Sequence, residues 1–385
     1  MISIKNQQQI FSQESLEAKL SKNRQLIIKY GIDATGSFLH LGHTVNLWML
    51  RKFQELGHKV IIILGDFTTS IGDPTGKSES RPKLDKASIE IKCENLRSQI
   101  NLILIQDRNL LEFKYNSDWY KNFNLSDFIQ LLSEVTHAKL ISRDMFQDRI
   151  SSNKEIWMSE LIYPILQGWD SVVIRSDITI CGSDQLFNEM LGKFYQEKQG
   201  QEPQVIITSK ITAGLCGVHK QSKSLNNYVG LLDSPKEKFG KLMTLEDHQI
   251  QSWVDVYTDV DNFIYNKNDP FTDKLLLAYE VVKKYHGETS AIEEKGWWLS
   301  TFSNKDFPSN ASLLLVELSS ISLLDLVRRA LPLQSNTQIK ELITNGAVKI
   351  NNEKTTEPYS VVEISSIKLN LQVGKKIFYH VVKDN

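Results

Sequence analysis

The sequence predicts an α/β protein: an open, mostly parallel sheet domain, then a helical domain, then a small α+β domain. Three observations carry this. The stretch from "RQLIIKYGIDATG" to "HKVIIILGDF" reads as strand, helix, strand. "SDITICGSDQLFNEMLGKFYQ" repeats strand, small-residue turn and helix. Beyond "STFSNKDFPSN" (residues 300–310), which has linker composition, short helical and strand-like runs alternate.

In order along the chain, "RQLIIKYGIDATG" is a buried strand running into a glycine-containing turn. After "HLGH", Val45, Trp48, Met49, Phe53 and Leu56 recur at helical spacing, and Gly57 supplies a stop. "HKVIIILGDF" is β-branched and apolar on both faces, as a strand covered on both sides requires. Strand, helix and strand in this order form a βαβ unit and hence a parallel sheet. Ligands of such sheets sit at the carboxyl ends of strands. The turns "GIDATGSFLHLGH" and "GDFTTSIGDPTGKS" both follow strands, so both should face one crevice. "ELIYPILQGWDSVVI" reads as a helix leading toward the next strand, and residues 226–310 are mainly helical in pattern. "LLDLVRRAL" and "NTQIKELITNG" read as short helices, "AVKINNEKTTEP" as strand–turn–strand, and "KLNLQVGKKIFYHVV" as further β-structure. The expected divisions are therefore 1–225, 226–310 and 318–385.

Composition excludes several classes. At 41% hydrophobic and 24% charged residues the chain is ordinary for a globular protein. Its longest strand-like apolar run, "VIIIL", is far too short to cross a membrane, and the N-terminus lacks the apolar core of a signal peptide, so a cytoplasmic location is expected. Cys93, Cys181 and Cys216 form neither a CxxC pair nor a disulfide framework. The net charge is −1, but from residue 318 onward 9 Lys+Arg stand against 6 Asp+Glu. A mildly basic tail on an acidic body fits a polyanion-binding module as well as chance variation.

Several motifs bear on chemistry. "GDPTGKS" tempts toward the P-loop, but that pattern needs glycine at 71, where this chain has Ile71. What survives is a loop with Asp73, Lys77 and Arg81 near a strand end, a grouping also found on solvated surfaces. In "HKQSKS", Lys220 and Lys223 flank small hydroxyl residues and can both point at one polyphosphate. His40 and His43 in "HLGH" lack the further ligands that zinc needs. Gly42 allows close backbone approach, and a helix N-terminus there favours anions. Taken singly, these histidines are read first as packing or capping residues.

"HLGH" followed about 180 residues later by "KQSKS" resembles the paired HIGH and KMSKS signatures of class I aminoacyl-tRNA synthetases. "GIDATGSFLHLGHTVNLWMLRKFQELGHKV", "GDFTTSIGDPTGKSESR", "YPILQGWDS", "GSDQLFN" and "NNYVGLLDSPKEKFGKLM" narrow the likeness to bacterial tyrosyl-tRNA synthetases. The "K-x-G-I-D" start is similar to the second bacterial subgroup, and "SNTQIKELITNGAVKINNEKT" resembles a small RNA-binding domain shared with a ribosomal protein.

The resemblance implies a Rossmann-like nucleotide-binding catalytic domain that activates L-tyrosine with ATP, accompanied by Mg²⁺, and then charges tyrosine tRNA. The family is homodimeric. Carried over by motif, Thr35, His40, Gly42 and His43 would contact the ATP phosphates and ribose. Lys77, Arg81, Lys220 and Lys223 would close over the departing pyrophosphate, and Asp184 would hold the ribose side. For tyrosine, Lys29, Asp33, Asp73, Tyr163, Gln167, Asp170 and Gln185 are implied. Among them Asp73, Tyr163 and Gln167 would take the α-ammonium, and Asp170 the phenolic proton. No resident metal site is expected.

The chain departs from the family pattern at Ala34 (usually proline), Gln221 (methionine), Cys181 (glycine), Thr179 (acidic), Trp169 (tyrosine) and Glu341 (commonly basic). Two other readings accordingly stand beside the first: a diverged copy acting on a tyrosine-like substrate, and an RNA-binding protein that uses the scaffold without catalysis.

Overall fold

The strand–helix–strand unit lies at the centre of a six-stranded sheet in the computed structural model, which describes residues 4–74, 85–222, 225–303, 307, 311–364, 368–374 and 377–384. The strands are β1 (Gln7–Phe11), β2 (Ile27–Asp33), β3 (Lys59–Gly65), β4 (Leu111–Tyr115), β5 (Ile178–Gly182) and β6 (Val205–Ser209), in the order β1-β6-β5-β2-β3-β4. All neighbours are parallel except the edge pair β1–β6. From β2 the chain builds outward through β3 and β4, then returns to the other side for β5 and β6. The reversal between β2 and β5 is the topological switch point at which such sheets open a crevice.

Helix α1 (Leu41–Glu55) connects β2 to β3 and buries Val45, Met49 and Phe53. It gives way to Gly57, whose φ of +85° suits a residue without a Cβ. Val60 to Leu64 of β3 are all buried, so both faces of this strand are covered. Each such aliphatic side chain contributes about 1.5–3 kcal/mol by leaving water.

Helices α2 (Met158–Ile174) and α3 (Leu186–Lys198) cross where Gly168 meets Gly192. A Cβ on Gly168 would lie 3.0 Å from the Gly192 nitrogen, and one on Gly192 would lie 2.5 Å from Ser171 Oγ. The two glycines therefore set how closely the helices approach. A buried two-point pair between Arg149 and Glu160 fixes the start of α2, with Nη1–Oε1 2.8 Å and Nη2–Oε2 3.0 Å.

The chain divides into two units, Met1–Ala291 and Ile292–Asn385. The helices Pro235–Leu242, Ile250–Tyr257 and Pro270–His286 belong to the first. There the Tyr285 hydroxyl accepts from Trp48 Nε1 at 3.0 Å, tying the Pro270–His286 helix to α1. The second unit contains β7 (Ser312–Val316), β8 (Ser320–Ser322), β9 (Val348–Ile350), β10 (Glu353–Lys354), β11 (Val361–Glu363), β12 (Leu369–Val373) and β13 (Ile377–Lys383). Its main sheet has the order β10-β9-β12-β13-β7, with β7 parallel to β13. Helices Leu323–Ala330 and Asn336–Thr344 supply Leu326, Val327, Ile339 and Ile343 to a core shared with Val316 and Leu371.

Candidate active site

A cleft of about 380 Å³ is lined by residues at the carboxyl ends of β2, β3 and β5. Both glycine-containing turns singled out in the sequence reach it: Thr35, His40, Gly42 and His43 from the first, Asp73 from the second. His40 is the extended residue that opens α1. Its backbone N–H points to His43 Nδ1 at 3.3 Å, and the two rings lie 3.8 Å apart. A Cβ on Gly42 would press on the His40 ring at 3.0 Å, so glycine leaves that ring its place. Backbone bonds from Leu41 N to Val229 O (2.9 Å) and from Leu231 N to Leu39 O (2.8 Å) brace the turn against the segment after "KQSKS". The first turn of a fifteen-residue helix thus faces the cleft, with N–H groups and dipole suited to anions.

From the lysine-bearing loop, Lys220 lines the same cleft and pairs with Asp184 at 3.2 Å. Gln221 is buried, and its amide donates to the Tyr257 hydroxyl at 2.7 Å, a polar anchor where the family pattern has an apolar one. Asn227 clasps the loop by accepting from Ser222 N (2.8 Å) and donating to Lys220 O (3.2 Å). Lys77, Arg81 and Lys223 lie outside the described residues.

The other residues form a connected polar set. The Asp33 carboxylate accepts from Thr68 Oγ1 (2.7 Å) and Tyr163 Oη (3.0 Å). Gly65 makes this possible, since a Cβ there would meet Asp33 Oδ1 at 2.2 Å. Burial and the nearby Asp33 and Asp73 push the Tyr163 hydroxyl well above its ordinary value, so it stays a donor. Gln185 Nε2 donates to Asp73 at 2.8 Å, and Gln167 Nε2 donates to Glu189 at 3.0 Å. Asp170 is buried on α2, and its Oδ1 accepts from Trp119 Nε1 (3.0 Å) and Tyr120 Oη (2.8 Å). Burial raises the Asp170 carboxyl to about 7 against the opposing pull of Lys29 and these donors. Asn116 also hydrogen-bonds this carboxylate, which lines the cleft.

The structure brings Thr35, His40, Gly42, His43, Asp184 and Lys220 together with Asp33, Asp73, Tyr163, Gln167, Asp170 and Gln185 around one cleft. Lys29 stands apart. It is 1% exposed, its ammonium is bound to Ser171 Oγ and Glu189 Oε2 at 2.7 Å each, and it does not line the cleft. The residue usually proline, Ala34, donates its N–H to Thr69 Oγ1 at 2.8 Å, a bond proline could not make. Thr179 is buried opposite Lys29 in the β2–β5 register, and Cys181 lines the cleft with its thiol raised by burial. The Trp169 ring packs on Phe123 and Tyr195, 5.8 and 5.9 Å away, and does not line the cleft.

Asn116, Trp119, Tyr120, Asn188 and Glu189 escape the sequence reading. Asn188 and Glu189 left a signal, lying three and four residues after Gln185 and hence on the same helical face. Asn116, Trp119 and Tyr120 meet Thr68 and Asp170, which lie far from them in sequence.

Residues 21–303 match the family described as tRNA synthetases class I (W and Y). The chain is similar to a tyrosine–tRNA ligase of Aquifex aeolicus, 39% identical over 383 residues, which cover 97% of this chain and 96% of that one. It is similar also to one of Moorella thermoacetica, 38% identical over 383 residues and covering 96% and 92%. In fold it is similar to a C-terminally truncated mitochondrial tyrosyl-tRNA synthetase of Aspergillus nidulans, with a TM-score of 0.62 at 17% identity, covering 77% of this chain and 91% of that one.

Proposed function

The chain belongs to the class I tryptophanyl- and tyrosyl-tRNA synthetases, and from that premise we infer that it is a tyrosine–tRNA ligase using ATP, tyrosine and tyrosine tRNA. The observation that supports this best is one cleft lined both by buried Asp170 and by the His40–His43 helix start with Lys220.

In the first step an oxygen of the tyrosine carboxylate attacks the α-phosphorus of ATP in line. The bond to the bridging oxygen breaks and pyrophosphate leaves with its electron pair. No enzyme nucleophile is needed, so catalysis is positioning and charge stabilisation. We assign Thr35, His40, Gly42 and His43 to the phosphates and neighbouring ribose, and Asp184 to the ribose side. Lys220, with Lys77, Arg81 and Lys223, would meet the charge that moves onto pyrophosphate. For Lys220 this means exchanging Asp184 for phosphate oxygens. In the second step a terminal ribose hydroxyl of the tRNA attacks the carbonyl carbon of the adenylate, and AMP departs.

For the amino acid, Asp73, Tyr163 and Gln167 are assigned to the α-ammonium, with Asp33 holding Tyr163 and Gln185 holding Asp73, and Asp170 to the phenolic hydroxyl. A buried acceptor for that hydroxyl discriminates against phenylalanine, which would leave it unpaired; this family is the standard worked case of that principle. Among the described residues no group of three or more His, Cys, Asp or Glu is arranged to hold a metal ion. Mg²⁺ is therefore proposed to arrive on the ATP phosphates as part of the substrate. No helix of the described chain is long and apolar enough to cross a membrane, and we propose that the enzyme acts as a homodimer in the cytoplasm, where its tRNA resides.

The test is tyrosine-dependent ATP–pyrophosphate exchange followed by charging of tyrosine tRNA. Exchange and charging together are expected. Absence of exchange with any aromatic amino acid would overturn the assignment.

A further inference from the structure

Behind the cleft a chain of hydrogen bonds runs between two carboxylates. Glu189, 2% exposed, accepts from three donors: Lys29 Nζ (2.7 Å), Gln204 Nε2 (3.0 Å) and Gln167 Nε2 (3.0 Å). At the other end Asp73 accepts from Gln185 Nε2 at 2.8 Å. Between them the fully buried Asn188 turns its amide nitrogen to both glutamines, reaching Gln167 Oε1 at 2.8 Å and Gln185 Oε1 at 3.0 Å.

Donor and acceptor logic gives this chain a direction. An ionised carboxylate only accepts, so each glutamine must present its NH₂ to the carboxylate beside it. Their carbonyl oxygens then face the NH₂ of Asn188. Turning Gln167 over would set its oxygen against Glu189 and its NH₂ against that of Asn188, losing two buried bonds at once. A carbonyl oxygen has two lone pairs, and Asn188 occupies one on each glutamine.

We propose that Glu189 and Asn188 are positioning residues which lock Gln167, with Gln185 holding Asn188 in turn, so that the Gln167 carbonyl oxygen is the group offered to the substrate's ammonium. An ammonium has donors only, so a glutamine free to turn would present NH₂ in part of its population and repel it. Lys29 has a derived role here: its ammonium, which can only donate, is bound to Glu189 Oε2 at 2.7 Å and so fixes that oxygen as an acceptor. The proximity of α2 and α3 at Gly168 and Gly192 brings the partners within bonding distance. This proposal rests on the assignment of Gln167 to the ammonium.

The experiment uses the full-length protein and compares equilibrium binding of tyrosine with that of its desamino analogue, 3-(4-hydroxyphenyl)propionate. The ratio of the two affinities reads recognition of the ammonium and is unmoved by a general loosening of the fold. Lys29→Met/Glu189→Leu removes the buried pair as a unit, since removing one partner alone leaves an uncompensated charge. It is expected to lower the ratio about tenfold or more, with KM for ATP in pyrophosphate exchange unchanged. Asn188→Asp, nearly isosteric, replaces the NH₂ by an acceptor, turns both glutamines over and should lower the ratio likewise. It serves also if the double variant does not fold. Gln167→Ala is the control for the underlying assignment. If it leaves the ratio intact, the assignment fails and the proposal with it. If it lowers the ratio while a folded double variant, or Asn188→Asp, does not, the proposal alone is overturned.

Discussion

On the proposed assignment, Asp170 serves selectivity at the expense of stability. Its carboxyl is raised to about 7 in the folded chain, chiefly by burial, whereas an unfolded aspartate titrates near 3.9. Between these values the folded state holds the proton more tightly, so stability falls as pH rises from about 4 to about 7. Above that range the folded protein carries the full cost of a buried carboxylate. Asp170→Asn is therefore expected to raise the melting temperature, and by more at pH 8 than at pH 5. A gain independent of pH would show that the carboxyl is not so shifted. The same variant should lower kcat/KM for tyrosine in pyrophosphate exchange by about a hundredfold or more and reduce discrimination against phenylalanine. Trp119 and Tyr120, both bonded to one Asp170 oxygen, fix the orientation of that carboxylate beside the cleft. Neither could be singled out from the sequence, because an aromatic residue fifty positions from an aspartate carries no mark of contact with it.

At the level of elements, the crossing of α2 and α3 decides whether the amino-acid side of the cleft exists. Gly168→Ala would place a methyl group 3.0 Å from backbone and side-chain atoms of α3, forcing the helices apart at a cost of about 1–3 kcal/mol. The expected outcome is a lower melting temperature and a raised KM for tyrosine, because Gln167 on one helix and Glu189 and Asn188 on the other would separate. Unchanged KM with lowered stability would uncouple the crossing from binding. What the sequence disclosed follows the same physics. β2, α1 and β3 were legible because their faces are buried continuously, so apolar periodicity survives in them. β1 was not: "QQQIF" is an edge strand with polar residues, held by backbone pairing with β6. "HLGH" and "KQSKS" were noticed as a pair only through their resemblance to the family's paired signatures, since singly each also suits packing, capping or a solvated loop. The Glu189 chain was hidden, because buried polar networks take their meaning from tertiary contact alone. In sequence, Gln221 and Ala34 stand out only as departures from the family pattern. In the structure each makes a hydrogen bond that the usual residue could not.

On the scale of the whole molecule, the described residues lining the cleft all belong to the unit Met1–Ala291. The unit Ile292–Asn385 has its own core around Leu326, Ile339 and Leu371. We read it as the chain's RNA-binding end, consistent with the basic excess after residue 318, and the helical region from 226 as further tRNA-facing surface. Adenylate formation needs only the cleft, whereas charging needs the tRNA held so that its terminal ribose reaches the adenylate. A chain of residues 1–303 is therefore expected to retain tyrosine-dependent pyrophosphate exchange, with KM for tyrosine and ATP close to those of the full chain, and to charge tyrosine tRNA poorly. The defect should appear as a raised KM for tRNA. The dependence of that KM on salt should also weaken, because fewer phosphate contacts release fewer counterions. Charging with full efficiency and an unaltered salt dependence would remove the small unit from tRNA binding. Loss of exchange as well would mean that the cleft depends on the second unit for its integrity, and the division of labour between the two would fall.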